Sequence, residues 1–475
     1  MYLIIIFPLV ISLILGLLVL SGSLPIIVGG GIVLPIMLGL LIYCFPAILD
    51  NVKAVWRQLQ WWHILWLLAF FSGFVFRVRE AGLARENPLD IWALYRIVLM
   101  GLVGVILIYQ LVLKRSEWLS GMFYGLVGVF GIAAIWNLAS TVWSVYPAWT
   151  FYKSAEYFLD VSLLAAILST VKTPEEFKSF LDWTWMLLAF LAGTIFLGVL
   201  LWPEESIKKD IGMFGARLIG VFPAVSANGV GDLGAILGCV SFARLLLRKS
   251  SRLFFSMLFV ISMILLLASQ TRSSLGGFIL GAFLIMVLTK RLGVIFIIPI
   301  GFVVGLLSTD IEQVLLQYVL RGQDTELLLS GTGRVGWWEY AWERFIEQPF
   351  SGYGAYAAGR FAVLQQAGLQ ETSTLHSSWL ETLLGVGIFG VILLLLVLIS
   401  TWVVLLQVVF SLSHHTLGYH LAIESLGVLS VLSVRSFFDS LLIWHPALPF
   451  LAIVGLAEML RRQQNGVFHE NFARP

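Results

Sequence analysis

Residues 375–410 read LHSSWLETLLGVGIFGVILLLLVLISTWVVLLQVVF. A polar knot of His, Ser, Trp and Glu opens the stretch, and an apolar run follows it. A helix needs ~20 apolar residues to cross a bilayer, so the second half predicts a membrane span over 383–409. The same pairing of polar knot and apolar run recurs at SQTRSSLGG, 269–277. A third knot, GTGRVGWWEYAWERFIEQPFSGYG, fills 331–354.

Composition carries this reading to the whole chain. Of 475 residues, 59% are hydrophobic and 12% charged, and the mean hydropathy is +0.95. Soluble domains carry roughly 25% charged residues, so the class is an all-α integral membrane protein. Apolar runs predict spans at 3–21, 24–45, 62–76, 92–113, 121–142, 151–171, 182–202, 229–246, 253–269, 275–289, 293–308, 383–409, 420–433 and 448–461. Allowing for broken or re-entrant segments, that is about 12–14 transmembrane helices in one membrane domain. A net charge of +2 gives no reason to expect a nucleic-acid partner. Cys44 and Cys239 both lie in apolar runs, which argues against a disulfide framework. Residues 1–21 lack a basic leader and a small-residue cleavage site, so a retained first helix is expected.

Short connections holding Lys53, Arg57, Lys114, Arg115, Lys172, Lys178, Arg244, Arg248, Lys249, Arg252, Lys290, Arg291, Arg461 and Arg462 fall on one side. Basic residues beside span ends mark the cytoplasmic face, which places both termini there. The other side receives the long connections 77–91 and 309–382, and with them Arg217, Arg272, Arg334 and Arg435. Topogenesis disfavours arginine on that face, so another need is expected to hold them. A guanidinium stays protonated and its donor fork matches phosphate oxygens. Arginines gathered at the outer membrane surface therefore suit a pyrophosphate at headgroup depth. Beside Arg272, Ser273 and Ser274 offer donors, while Gly276 and Gly277 permit close helix approach. Lys153 adds a further cation on this face.

Within the long loop, 333–348 has helical periodicity, with Trp338, Trp342, Phe345 and Ile346 on roughly one side, and Pro349 and Gly352 ending it. Such a helix rests in the membrane interface, or its aromatics stack on sugar rings. Trp337, Trp338, Trp342, Tyr353 and Tyr356 are the candidates for stacking. Arg334 stands in its first turn, where a cation opposes the helix dipole unless an anion binds there. His376 precedes a capping box, Ser378 to Glu381, which gives Glu381 a structural role. The histidine is not needed for that cap, and a neutral imidazole can take a proton from a hydroxyl near neutral pH. His445, in LLIWHPALPF, reads as an interfacial turn, and His414, His415 and His420 as incidental. Asp160, Glu156 and Arg96 fall near or within spans, and Glu424 and Asp232 near span ends. They are expected to pair with one another or with an external arginine.

Five pieces in this order resemble the O-antigen ligase and O-antigen or exopolysaccharide polymerase superfamily. They are WNLASTVWSVYPAWTFYKS at 136–154, RLIGVFPAVSAN at 217–228, TRSS at 271–274, TGRVGWW through PFSGYG at 332–354, and LHSSWLETLLGVGIFG at 375–390. The resemblance implies a GT-C-like fold in the bacterial inner membrane, with its active site at the periplasmic face and part of it on loop 309–382. It implies a glycan donor on undecaprenyl pyrophosphate and a glycan acceptor, with membrane lipids and a chain-length regulator as further partners. No metal or other cofactor is implied. Arg217, Arg272 and Arg334 would hold the pyrophosphate, Asn228 would match the family's asparagine, and His376 would stand at the reaction centre. Polymerase and ligase both fit, with TGR-x-GWW closer to the polymerases. A transporter or lipid flippase is the reading from a different class, though no internal repeat is evident.

Overall fold

The computed structural model describes residues 59–76, 90–114, 117–209, 216–247, 251–291, 334–364 and 374–464, together with Pro46, Leu49 and Lys53. The expected spans 3–21, 24–45 and 293–308, and residues 309–333 of the long loop, lie outside these. The described helices are α1 (Trp61–Ser72), α2 (Ile91–Val112), α3 (Gly125–Ala139), α4 (Pro147–Thr170) and α5 (Pro174–Leu201). A two-stranded antiparallel hairpin follows, β1 (Ile207–Lys209) and β2 (Ala216–Leu218). Then come α6 (Ala227–Leu247), α7 (Arg252–Ala268), α8 (Arg272–Leu288), α9 (Arg334–Glu347), α10 (Ser378–Ser411), α11 (Leu417–Arg435) and α12 (Leu448–Gln464).

Local chemistry fixes several of these ends. Asp90 accepts from the amides of Trp92 and Ala93, satisfying two of the donors that open α2. Pro147 and Pro174 stand at the first positions of α4 and α5, where the missing N–H costs nothing. The apolar runs located these helices to within a few residues, except that α5 begins at Pro174 instead of 182. Its first turns, PEEFKSFLD, are too polar for a span criterion but are good helix formers.

This is an all-α integral membrane protein. Among the described residues, six helices are long and apolar enough to cross a bilayer. Helix α2 carries Arg96 in its second turn and presents apolar residues on both its inner and its outer side: Ala93, Met100, Val103 and Leu107 are buried, while Ile91, Leu94, Val98, Leu102, Val105 and Val112 lie exposed. Water would not tolerate that stripe, whereas lipid would.

The chain divides into two compact units. The first comprises 1–59, 185–329 and 423–434, and the second 60–184, 330–422 and 435–475. In the first unit, α6, α8 and α11 approach on glycine. A Cβ at Gly281 would come 2.5 Å from the Gly427 carbonyl, and one at Gly277 would come 3.0 Å from Val431 Cα. Gly276, expected to share this role, has nothing within 4 Å.

Candidate active site

The second unit carries His376, held on both sides. Its backbone is left-handed, φ +52°, a conformation that a residue with a Cβ keeps only when its surroundings enforce it. The neighbouring Leu375 supplies part of that enforcement. Its N–H donates to Glu381 Oε1 at 2.6 Å, and its carbonyl accepts from the Trp338 indole at 3.0 Å. On the other side, the Ser378 N–H donates to the carbonyls of Ser436 and Asp439, and the Ser378 hydroxyl to Asp439 again. Glu381 thus has the structural role expected of it, but not as a Ser378 capping box. Ser377 is the N-cap, accepting from the Leu380 amide, and Glu381 reaches past it to Leu375.

The imidazole of His376 is 28% exposed, with Nδ1 4.0 Å from Asp439 Oδ1 and 3.4 Å from the Thr374 hydroxyl. Asp439 in turn is 2.6 Å from an Arg435 guanidinium nitrogen and accepts from the Ser440 amide at 2.8 Å. Burial pushes the Asp439 carboxyl up, but His376 and the Arg435 charge more than reverse this and hold it at about 2. It is a fixed anion beside the imidazole. Arg435, expected on the substrate face, is 1% exposed and bound to Asp439 instead. Asp439 went unremarked in the sequence reading, although Arg435 and Asp439 have the i,i+4 spacing at which opposite charges meet.

The long loop is ordered around this turn. Helix α9 spans Arg334–Glu347, close to the expected 333–348, with Arg334 as its first residue. Its aromatics divide between two faces instead of sharing one. Trp337, Tyr340 and Phe345 pack toward Ala341, Ala362, Leu375 and Leu384, while Trp342 and Ile346 are exposed. Trp338 spends its N–H on Leu375, so it positions the His376 turn. Tyr353 is buried, its single hydroxyl proton shared between Glu347 Oε2 at 2.8 Å and the Arg344 carbonyl at 3.0 Å, a clasp across the end of α9. Burial first, then Glu347, raises that phenol to about 12. Tyr356 is likewise buried and donates to the Ile443 carbonyl.

Residues 349–354 dock into a break in α10. Val386 and Gly387 leave helical geometry there, and the freed groups find partners. Tyr353 N–H donates to Leu384 O at 2.8 Å, Gly354 N–H to Gly385 O at 2.9 Å, and Ile388 N–H to Pro349 O at 2.9 Å. Gly352 and Gly387 have φ of +62° and +70°, and a Cβ on either would strike backbone oxygen.

Deeper in the same unit, Lys153 is buried and paired with Glu156 at 2.6 Å, facing the Tyr152 ring at 4.4 Å. It is interior, not a surface cation. His445 is not an interfacial turn: its side chain is 1% exposed, 2.7 Å from Asp160 and 2.6 Å from the Ser72 hydroxyl.

The first unit carries Arg217, Asn228, Arg272, Ser273 and Ser274. Thr271 donates to the Ala227 carbonyl at 3.1 Å, which brings the starts of α6 and α8 together. Asn228, half-buried, lies in the first turn of α6, and Arg272 opens α8. Ser274 faces inward, donating to Asp232 at 2.6 Å. Arg217 stands on β2, half-buried, and its Nε has no hydrogen-bond partner among the described residues. Burial lowers the pKa of this guanidinium, the mark of a charge not yet compensated. Glu424 binds Arg244 bidentately, at 2.6 and 2.8 Å.

Residues 255–395 match the model of a family described as O-antigen ligase, in agreement with the superfamily that the motifs resemble. No curated protein matches the chain. The match supports glycosyl transfer of the ligase or polymerase kind in a multi-pass membrane protein.

Proposed function

We propose that this O-antigen ligase-like chain is an inverting, metal-independent glycosyltransferase working at the periplasmic face of the bacterial inner membrane. Its donor is a glycan on undecaprenyl pyrophosphate and its acceptor a sugar hydroxyl on a second lipid-linked repeat. The observation that carries this is the His376–Asp439–Arg435 arrangement, with the imidazole partly exposed and its Nδ1 turned to a fixed carboxylate. A proton taken by such a ring enters at Nε2 and leaves an imidazolium beside an anion already in place.

The acceptor oxygen attacks the anomeric carbon as its proton passes to His376. The bond from that carbon to the pyrophosphate oxygen breaks, and the electron pair leaves on the phosphate. Charge grows on the departing oxygen, so cations placed beforehand favour the transition state over the ground state. Arg217, Arg272 and Arg334 are assigned that role, with Asn228 and Ser273 as accompanying donors. Removing one such donor costs on the order of 3 kcal/mol in other enzymes. No nucleotide is consumed, because the pyrophosphate linkage itself supplies the driving force.

The ligase reading, transfer to a lipid A–core, is favoured by the description of the matched family. The polymerase reading is favoured by TGR-x-GWW at 332–338. Loss of the gene separates them: a polymerase mutant retains single repeats, whereas a ligase mutant accumulates long lipid-linked chains. Purified protein given defined lipid-linked repeats should extend or transfer them, and His376→Ala should abolish this. Wild-type rates from His376→Ala overturn the proposal.

A further inference from the structure

The β1–β2 hairpin of the first unit has two unlike faces. Its register sets Ile207 opposite Leu218 and Lys208 opposite Arg217. Directly opposed residues of an antiparallel pair share a face and the next pair falls on the opposite one, so Ile207 and Leu218 share a face with the pair Lys209 and Ala216, while the other face presents the two directly opposed cations Lys208 and Arg217. Like charges directly opposed destabilise a hairpin. Glutamates exist nearby, Glu204 and Glu205 in the turn Pro203–Ser206 before β1, but both are exposed and neither is paired with these cations. Among the described residues, neither Lys208 nor Arg217 has an ion partner, and Arg217 Nε is buried without a hydrogen bond. Desolvating a guanidinium while a second cation faces it is costly unless something anionic bridges them.

We infer that Lys208 is a further diphosphate ligand, closing a two-cation clamp with Arg217 across the hairpin. The inference rests on the proposed pyrophosphate-linked donor and names a residue of its site that the sequence reading passed over. The chemistry divides between the two side chains. The fork of Arg217 takes two oxygens of one phosphoryl group, and the compact ammonium of Lys208, on an exposed stem, reaches the other. A bridging anion reverses the sign of the cross-strand repulsion.

The test uses the full-length protein in nanodiscs, titrated with farnesyl pyrophosphate, inorganic pyrophosphate and phosphatidylglycerol. Lys208→Gln is expected to weaken farnesyl pyrophosphate binding at least about tenfold, as Arg217→Gln does. Lys208→Arg should retain most of it. The double variant should lose less than the two single losses combined, because both groups hold one ligand. Without ligand, the thermal midpoint of Lys208→Gln should not fall, since the substitution removes repulsion. Pyrophosphate should raise the wild-type midpoint but not that of the variant. Unchanged farnesyl pyrophosphate affinity in Lys208→Gln overturns the clamp, and so does a lowered ligand-free midpoint. Equal loss toward phosphatidylglycerol overturns the diphosphate assignment in favour of a general anionic-lipid contact. Because no glycan is present, the clamp can stand while the transferase reading fails, which wild-type transfer by His376→Ala would reveal.

Discussion

An exposed histidine is ordinarily a surface residue. What separates His376 from that ordinary case is Asp439, a carboxylate 4.0 Å from Nδ1 and itself fixed by Arg435 and the Ser440 amide. Asp439→Asn keeps the shape and removes the charge, so the turnover number should fall at least about tenfold with little change in KM. Steady-state kinetics on lipid-linked substrate check this, and a proportional rise in KM would point to lost binding instead. The carboxyl stands at about 2, below its ordinary 3.8. A depressed pKa contributes stability that is complete above the ordinary value and disappears as pH falls through the lowered one. Asp439 should therefore add roughly 2 kcal/mol throughout pH 5–8 and lose it between about pH 4 and 2. Thermal midpoints of wild type and Asp439→Asn should keep a constant separation down to pH 5 and converge below pH 4. Arg435→Met leaves Asp439 without its charged partner and should destabilise more than Asp439→Asn does.

Among the elements, α10 is the one whose sequence says most and least at once. Its apolar run fixed a span, and the knot before it marked a site. The break at Val386–Gly387 was not legible, because LGVG within thirty apolar residues has no polar signal and reads as helix with tolerated glycines. Only docking of 349–354 shows why Gly387 must have no Cβ: one placed there meets Phe350 O at 2.3 Å. Gly387→Ala combines that clash with a strained φ and should destabilise the loop by more than about 1 kcal/mol. Faster tryptic cleavage at Arg344 or Arg360 would show it, and unchanged cleavage would remove the glycine's assigned role. Glu381 makes the same point chemically. Its spacing from Ser378 read as a capping box, yet its partner is an amide outside the helix, a contact that local pattern does not encode. Glu381→Gln preserves an acceptor for Leu375 and should remain active. Glu381→Ala orphans a buried N–H and frees the His376 turn, so it should lose at least about tenfold in rate. The helix at 333–348 was legible from periodicity, but which indoles face inward depended on Leu375 and Leu384, distant in sequence.

At the scale of the whole chain, the residues assigned to one reaction are divided between two units, Arg217 and Arg272 in the first and His376 and Asp439 in the second. Order along the sequence made Arg217, Arg272 and His376 visible, since each stands at the edge of an apolar run, but it did not single out Asp439. It did not reveal which knots are built of paired charges. Lys153 and Arg435 looked alike from topology as cations, yet each is sealed against a carboxylate, while Arg217 keeps a buried nitrogen without one. Pairing depends on local neighbours 3 or 4 residues away in these cases, where the pattern rule was available, and on a tertiary neighbour 180 residues away for Arg244 and Glu424, where none was. The proposed one-step displacement requires Arg272 and His376 to act on one transition state. Groups that act together are grossly non-additive: once one is lost, removing the other costs little more. Arg272→Ala and His376→Ala should each abolish most of the rate, and the double variant should be no slower than the worse single one by more than about tenfold. Losses that multiply in full would mean that the arginine and the histidine serve separate events, such as donor docking and a later step, and the one-step displacement would have to be abandoned.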